Sequence, residues 1–356
     1  MDFTLDDEQR ALQSAVREMA GRLVRQATSG DVAVGPQPVD REVWSSLAEM
    51  GLLGLPFGED AGGMGASAVE VVLASSELGA ARLQAPYADA LAAAAMVADA
   101  ESAPDGLLEQ IVEGSQLVFT ALAEPGRAWD PEHPETTAVE QDGTWRVTGR
   151  KLGTTALSEV DAVVTTAFCC ETACVFLVRQ PAVKDGVIEL DGAEAIRLGG
   201  PELLQAGLSL GIVALAGEAL GCMGAALTMT TDYLKTRKQF GVPLATFQTL
   251  TQRAADMYVS VELARSTALF AAMAISENAT DGATASRAKA LLGRTGRHVG
   301  QEAIQLHGGI GMTAEYAVGH YTSRLTAIEH TFGDSRYHLG LLARGLADHE
   351  MVDVLV

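Results

Sequence analysis

The chain has 356 residues, 48% of them hydrophobic, with 25 basic and 46 acidic side chains and a net charge of −21. That length supplies chain for two or three domains with substantial cores, and that charge argues against a nucleic-acid binder, which needs a basic face. No uninterrupted apolar run of bilayer length is present and the first residues, MDFTLDDEQR, are acidic and polar, so neither a membrane span nor a signal peptide is expected and the cytoplasm is the expected location.

Residues 4 to about 113 read as helices. Thr4 followed by Asp7 resembles a capping box, with Phe3 placed to staple it, and Leu12, Val16, Met19 and Leu23 recur at helical spacing. REVWSSLAEMG is a second helix with Gly51 as its C-cap, and Ala-rich helices follow over about 68–80 and 86–99. Near Gly114 the pattern shortens. LVFTALAE, TWRVTG, AVVTTA, CVFLV and GVIEL are short, β-branched and separated by turn residues, which predicts a compact β-domain. Cys169, Cys170 and Cys174 lie within it, but the segment AFCCETACVFLV has no nearby histidine and reads as two strands around a turn, so no metal site is expected. After Gly200 three long apolar stripes follow, beginning at Ile212, Leu250 and Ala285, and a last helix is expected over about 335–349. Together these predict an antiparallel four-helix bundle. The domain boundaries expected from the pattern are 1–114, 115–200 and 201–356, in an α+β fold.

Two bundle segments carry candidate chemistry. In TRKQFGVPLATFQT, from Thr236 to Thr249, a helix ends in two cations, an amide and an aromatic, Gly241 breaks it, and Pro243 precedes the next helix. A guanidinium at such a corner can hold a diphosphate through charge-assisted bonds, while a helix C-terminus favours cations in any case. The residues alone leave both roles open. In IQLHGGIGMTAEY, from Ile304 to Tyr316, the glycines read GGxG and follow a helix rather than a strand. A dinucleotide fingerprint therefore fails its context test, and His307 is expected to be structural.

RKQFGVPLATFQ resembles the R-x-Q-F-G-x-P-(x)3-F/H-Q segment of acyl-CoA dehydrogenases, and QLHGGIGMTAEY is similar to their Q-x-x-G-G-x-G segment. MGLLGLPFGEDAGGMGAS is similar to the family's N-domain stretch, and the helical, β and four-helix layout agrees over essentially the whole chain. The resemblance implies FAD as cofactor. It places Arg237, Gln239, Phe240 and Gln248 against the FAD diphosphate and ring region, and Gln305 and Gly309 against the adenosine of an FAD bound by a neighbouring subunit. It also implies an acyl-CoA substrate and an electron-transfer flavoprotein or similar acceptor. The β-domain match is weaker. ALAEPGRAWD is similar to the flavin loop T-E-P-G-x-G-S-D but has Ala123 for the threonine and Trp129 for the serine; GRKLGTT keeps Thr155 but has Gly153 where a ring-flanking tryptophan is usual.

The family desaturates acyl-CoA thioesters with a carboxylate that removes the α-proton. Counting down from GGIG sets the family's Y-E-G-T loop on Thr331-Phe332-Gly333-Asp334, with phenylalanine at the glutamate position; counting back from Arg237 sets the alternative base position near Gly211. Glu329 and Asp334 remain as substitutes, and Gly333 and Asp334 as further FAD contacts. VGHYTSRLTAIEHTFGD is similar to the small subunit of heteromeric pimeloyl-CoA dehydrogenases, and steroid-degrading heterotetramers use comparable pairs, so the resemblance implies a base-lacking subunit with a second, catalytic one. Two alternatives stay open at this stage: a self-sufficient homo-oligomer using Glu329 or Asp334, and a structural subunit that binds no flavin.

Overall fold

The computed structural model describes residues 5–26, 38–153, 160–313 and 316–348. Five helices come first: α1 (Asp7–Gln26), α2 (Arg41–Glu49), α3 (Ala68–Ala81), α4 (Tyr87–Ala98) and α5 (Leu107–Val112). Thr4 and Phe3 lie outside the described residues. A capping box is made by Asp6, two residues after Thr4, which accepts from the Gln9 N–H at 2.8 Å while Gln9 Oε1 accepts from the Asp6 N–H at 3.2 Å. Asp40 and Ser67 cap α2 and α3 in the same manner, each accepting from first-turn N–H groups.

Seven strands follow: β1 (Val118–Ala121), β2 (Thr137–Gln141), β3 (Thr144–Lys151), β4 (Ala162–Cys169), β5 (Thr172–Arg179), β6 (Ala182–Lys184) and β7 (Val187–Gly199). Strands β4, β5, β7, β3 and β2 pair in that order and β2 returns to β4, so the sheet closes on itself, with β1 parallel to β4 at its side. Val147, Val163, Phe176, Val178 and Ile188 fill the interior. Cys169 and Cys174 also face inward, on either side of the β4–β5 turn, with their sulfurs 2.8 Å apart. Burial pushes the Cys169 thiol up to about 12, so it stays protonated.

The helical bundle consists of α6 (Pro201–Thr236), α7 (Gln248–Glu277), α8 (Gly282–His307), α9 (Val318–His330) and α10 (Ser335–Arg344), with a two-strand corner, β8 (Lys238–Gln239) and β9 (Val242–Pro243), between α6 and α7. Helix α9 is an addition to the expected set; its Val318, Tyr321, Leu325 and Ile328 are buried at helical spacing. The final helix is shorter than expected and ends in a 3-10 turn. Both α6 and α7 are long and apolar enough to cross a bilayer, contrary to the expectation from uninterrupted runs, but most of α6 is buried as the central core helix. Glycines make that burial close. Gly207 and Gly211 lie against α4, and Gly217 and Gly221 against the backbone of α3.

Candidate functional site

Helix α9 stops at Thr331, and Phe332 then takes a left-handed backbone conformation, φ +57°, uncommon for a non-glycine residue. Three polar groups hold the turn. Lys289 Nζ donates to the carbonyls of Glu329 (2.9 Å) and Gly333 (2.6 Å), His338 Nε2 donates to the carbonyl of Phe332 (2.9 Å), and the Asp334 carboxylate accepts from the Tyr337 N–H (2.8 Å) to start α10. Burial pushes Lys289 down to about 8, against the opposing pull of Glu329 and Asp334, and pushes His338 down to about 4. The imidazole is therefore neutral at pH 7, with Nδ1 facing the Ser286 hydroxyl at 3.1 Å.

This turn aims the Phe332 side chain at α6. The ring is 1% exposed, and a Cβ placed on Gly211 would stand 2.7 Å from Phe332 Cε2, 2.9 Å from Ala92 Cβ and 3.3 Å from the Ala88 carbonyl oxygen. The two positions on which the resemblance sets the family's carboxylate thus face each other in contact. The substitute carboxylates are engaged elsewhere. Glu329 is buried on the α8 side of the loop, where Gly293 leaves it room, and it accepts from the Ser335 N–H (3.1 Å) and hydroxyl (3.0 Å) and pairs with Arg297 (3.4 Å). Asp334 is the α10 cap.

The two weak β-domain motifs converge on the same place. Leu152 N–H donates to the Ala123 carbonyl at 2.8 Å, and Lys151, fully buried, pairs with Glu124 at 3.0 Å. Burial opposes ionisation of Glu124, yet the Thr136 hydroxyl, the Glu135 and Thr136 N–H groups and Lys151 together hold its carboxyl below the usual range. Five residues on, Trp129 lays its indole against Phe332, ring centres 6.2 Å apart, and against Gly333. Its Nε1 is buried with no hydrogen-bond partner among the described residues. Gly153 is half-buried; Thr155 lies outside the described residues.

The bundle motifs form a separate cluster. Tyr233, one turn before Arg237, stacks on His307 at 4.6 Å, and His307 meets Tyr316 at 5.0 Å. This aromatic stack joins the end of α6 to the end of α8, so Arg237, Gln239, Phe240 and Gln248 share one end of the bundle with Gln305 and Gly309. His307 donates from Nδ1 to the Ala303 carbonyl at 2.7 Å and is 3% exposed, a structural role. By contrast Arg237, Gln239, Gln248, Gln305 and Gly309 are exposed, and Phe240 is 91% exposed at the tip of the β8–β9 turn. Among the described residues Arg237 makes no ion pair. Gly211 and Arg237 are separated by roughly 39 Å of α6 at 1.5 Å per residue, so the two clusters lie far apart.

Residues 6–100 match the acyl-CoA dehydrogenase N-terminal domain and residues 199–347 the acyl-CoA dehydrogenase C-terminal domain. The steroid acyl-CoA dehydrogenase variant Tcur3481–Tcur3483 is 30% identical, with a TM-score of 0.85 over 97% of this chain and 99% of that one. The chain belongs to the acyl-CoA dehydrogenase family. FAD is the cofactor of this flavoprotein family, and its fold is the helical, β and helical succession seen here. Also similar are the probable acyl-CoA dehydrogenase YngJ of Bacillus subtilis, 27% identical over 97% of this chain and all of that protein, and a chain of the ChsE4–ChsE5 complex of Mycobacterium tuberculosis, 25% identical with a TM-score of 0.88 over 99% of this chain and all of that one.

Sequence reasoning missed three members of the acyl-CoA dehydrogenase loop. Lys289 carried a signal, a cation beside Ala285, Ala288 and Leu292 on a buried stripe. His338 and the Trp129–Phe332 contact carried none, because both depend on segments far apart in sequence.

Proposed function

We propose that this chain is the base-lacking subunit of a heteromeric acyl-CoA dehydrogenase, completing an FAD site on a second family member that supplies the catalytic carboxylate. The observation that supports this most is the contact between Phe332 and Gly211, which leaves an aromatic ring where a base would stand. The exposed corner supports the rest. An arginine with no ion pair among the described residues, two amides and a bare phenylalanine match the needs of a flavin dinucleotide held across a subunit boundary. In this reading Arg237 neutralises the diphosphate, Gln239 and Gln248 donate amide hydrogen bonds, Phe240 covers an aromatic face, and Gln305 with Gly309 receives the adenosine. Gly309 leaves open backbone for that approach. Held there, FAD would supply a hydride acceptor for the acyl thioester, with an electron-transfer flavoprotein or similar carrier as its oxidant. The self-sufficient alternative is weaker because Glu329 and Asp334 are both committed to hydrogen bonds that shape the loop.

Purified alone with FAD, the chain should reduce an artificial electron acceptor with acyl-CoA negligibly. Co-expression with a glutamate-bearing family member should give activity, and changing that glutamate to glutamine should abolish it. Acyl-CoA turnover by this chain alone, lost in Glu329→Gln, would overturn the proposal.

A further inference from the structure

We infer that Phe332 and Trp129 form a permanent plug in this chain's own acyl site, so that acyl-CoA is held only on the second subunit. The inference rests on reading the 331–334 turn as the family's base loop, and it goes further than a missing carboxylate. A lost base leaves an empty or polar pocket; here the space is filled by shape. Gly211 has no side chain where the ring lies, and Ala88 and Ala92 on α4 are the smallest side chains that still close the far wall. The indole of Trp129 closes the near side from the β-domain. A small crevice among the described residues is lined by Tyr87 and Ala88 of α4, Ala214 of α6 and Ser75 of α3.

The ring is also anchored. A side chain can leave a pocket when its backbone rotates, but the carbonyls of Glu329, Phe332 and Gly333 are each held by a buried donor, Lys289 or His338. Swinging Phe332 outward breaks these bonds and strands buried polar groups. The left-handed φ of Phe332 indicates the same thing, since the surrounding contacts must override an unfavourable conformation. The plug is therefore part of the folded core and not a gate.

Titration calorimetry with octanoyl-CoA, and with CoA as the control, tests this on the full chain with FAD, alone and co-assembled with a second subunit. Wild-type chain alone should bind octanoyl-CoA no better than CoA, and the co-assembly should bind one octanoyl-CoA per pair of chains. Phe332→Ala should open the cavity and tighten octanoyl-CoA binding at least tenfold over CoA. If Phe332→Ala does not fold, Trp129→Ala, which removes a half-exposed wall, should give a smaller gain in the same direction. Independently, Gly211→Ala should lower the Tm of the wild type by more than that of Phe332→Ala, in which only the crowding against Ala92 and Ala88 remains. One octanoyl-CoA per copy of the wild-type chain, or equal Tm losses in both backgrounds, would overturn the plug. Binding at that ratio by a chain that stays inactive alone would sink the plug and leave the partner-subunit reading standing; binding with turnover would sink both.

Discussion

At the turn after α9, His338 couples the shape of the site to pH. It is 3% exposed, donates to the Phe332 carbonyl and is held down to about 4 by burial. An unfolded histidine protonates near 6.5, so between pH 6.5 and pH 4 the unfolded chain binds a proton that the folded chain refuses. Stability is then complete above pH 6.5 and falls as pH drops toward 4, by about 3 kcal/mol for this group. Urea unfolding at pH 7 and at pH 4.5 should show that loss in the wild type, and His338→Gln should show a smaller difference between the two conditions. An unchanged difference would mean that another group carries the acid sensitivity. Counting from the GGIG segment was enough to single out this turn, because Phe332 follows that segment at a set interval. The direction of its neighbours was not. Glu329 is three residues away on the chain, yet its carboxylate turns to Gly293 and Ser335, a fact set by which helix packs behind it.

Among the elements, α6 decides the geometry because it touches α3 and α4 through glycines. Gly217 and Gly221 lie one turn apart, and a Cβ on Gly221 would run into the Ser76 backbone. Backbone cannot yield as a flexible side chain does, so Gly221→Ala should force α3 off α6. Overpacking of this kind costs about 1–3 kcal/mol, and a thermal melt should show a Tm several degrees lower with near-native helix content just below the transition. A wild-type Tm would mean the helices stand farther apart than described. The helical period announced α6, α7 and α8 plainly. Helix α9 was hidden because threonine, serine and histidine dilute its stripe, while β2 and β6 are short edge-like strands with mostly exposed residues.

For the whole molecule, the separation of the two clusters argues for assembly. The corner proposed to hold FAD lies roughly 39 Å along α6 from the Gly211–Phe332 contact at the helical rise per residue, and α7 leaves Tyr258, Val259, Leu263 and Phe270 exposed on its outer side. Arg237 is exposed and takes no part in the core, so Arg237→Ala should leave the fold intact by circular dichroism. It should weaken FAD retention in the assembled protein by about 1–3 kcal/mol, the range for a lost charge-assisted bond. Flavin absorbance after gel filtration reads the effect directly, and undiminished flavin would remove Arg237 from the cofactor site.

The sequence by itself determined the family and the order of helical and β regions, and it put phenylalanine and glycine where the resemblance sets the expected base. These are properties of local spacing and residue type, which survive without knowledge of contacts. Only the tertiary structure decided that Phe332 and Gly211 meet, that Trp129 closes over them, and that Lys289 and His338 pin the turn. Those residues lie on five separate segments, and their chemistry arises from packing across them, where hydrophobic periodicity carries no record of which side chain fills which space.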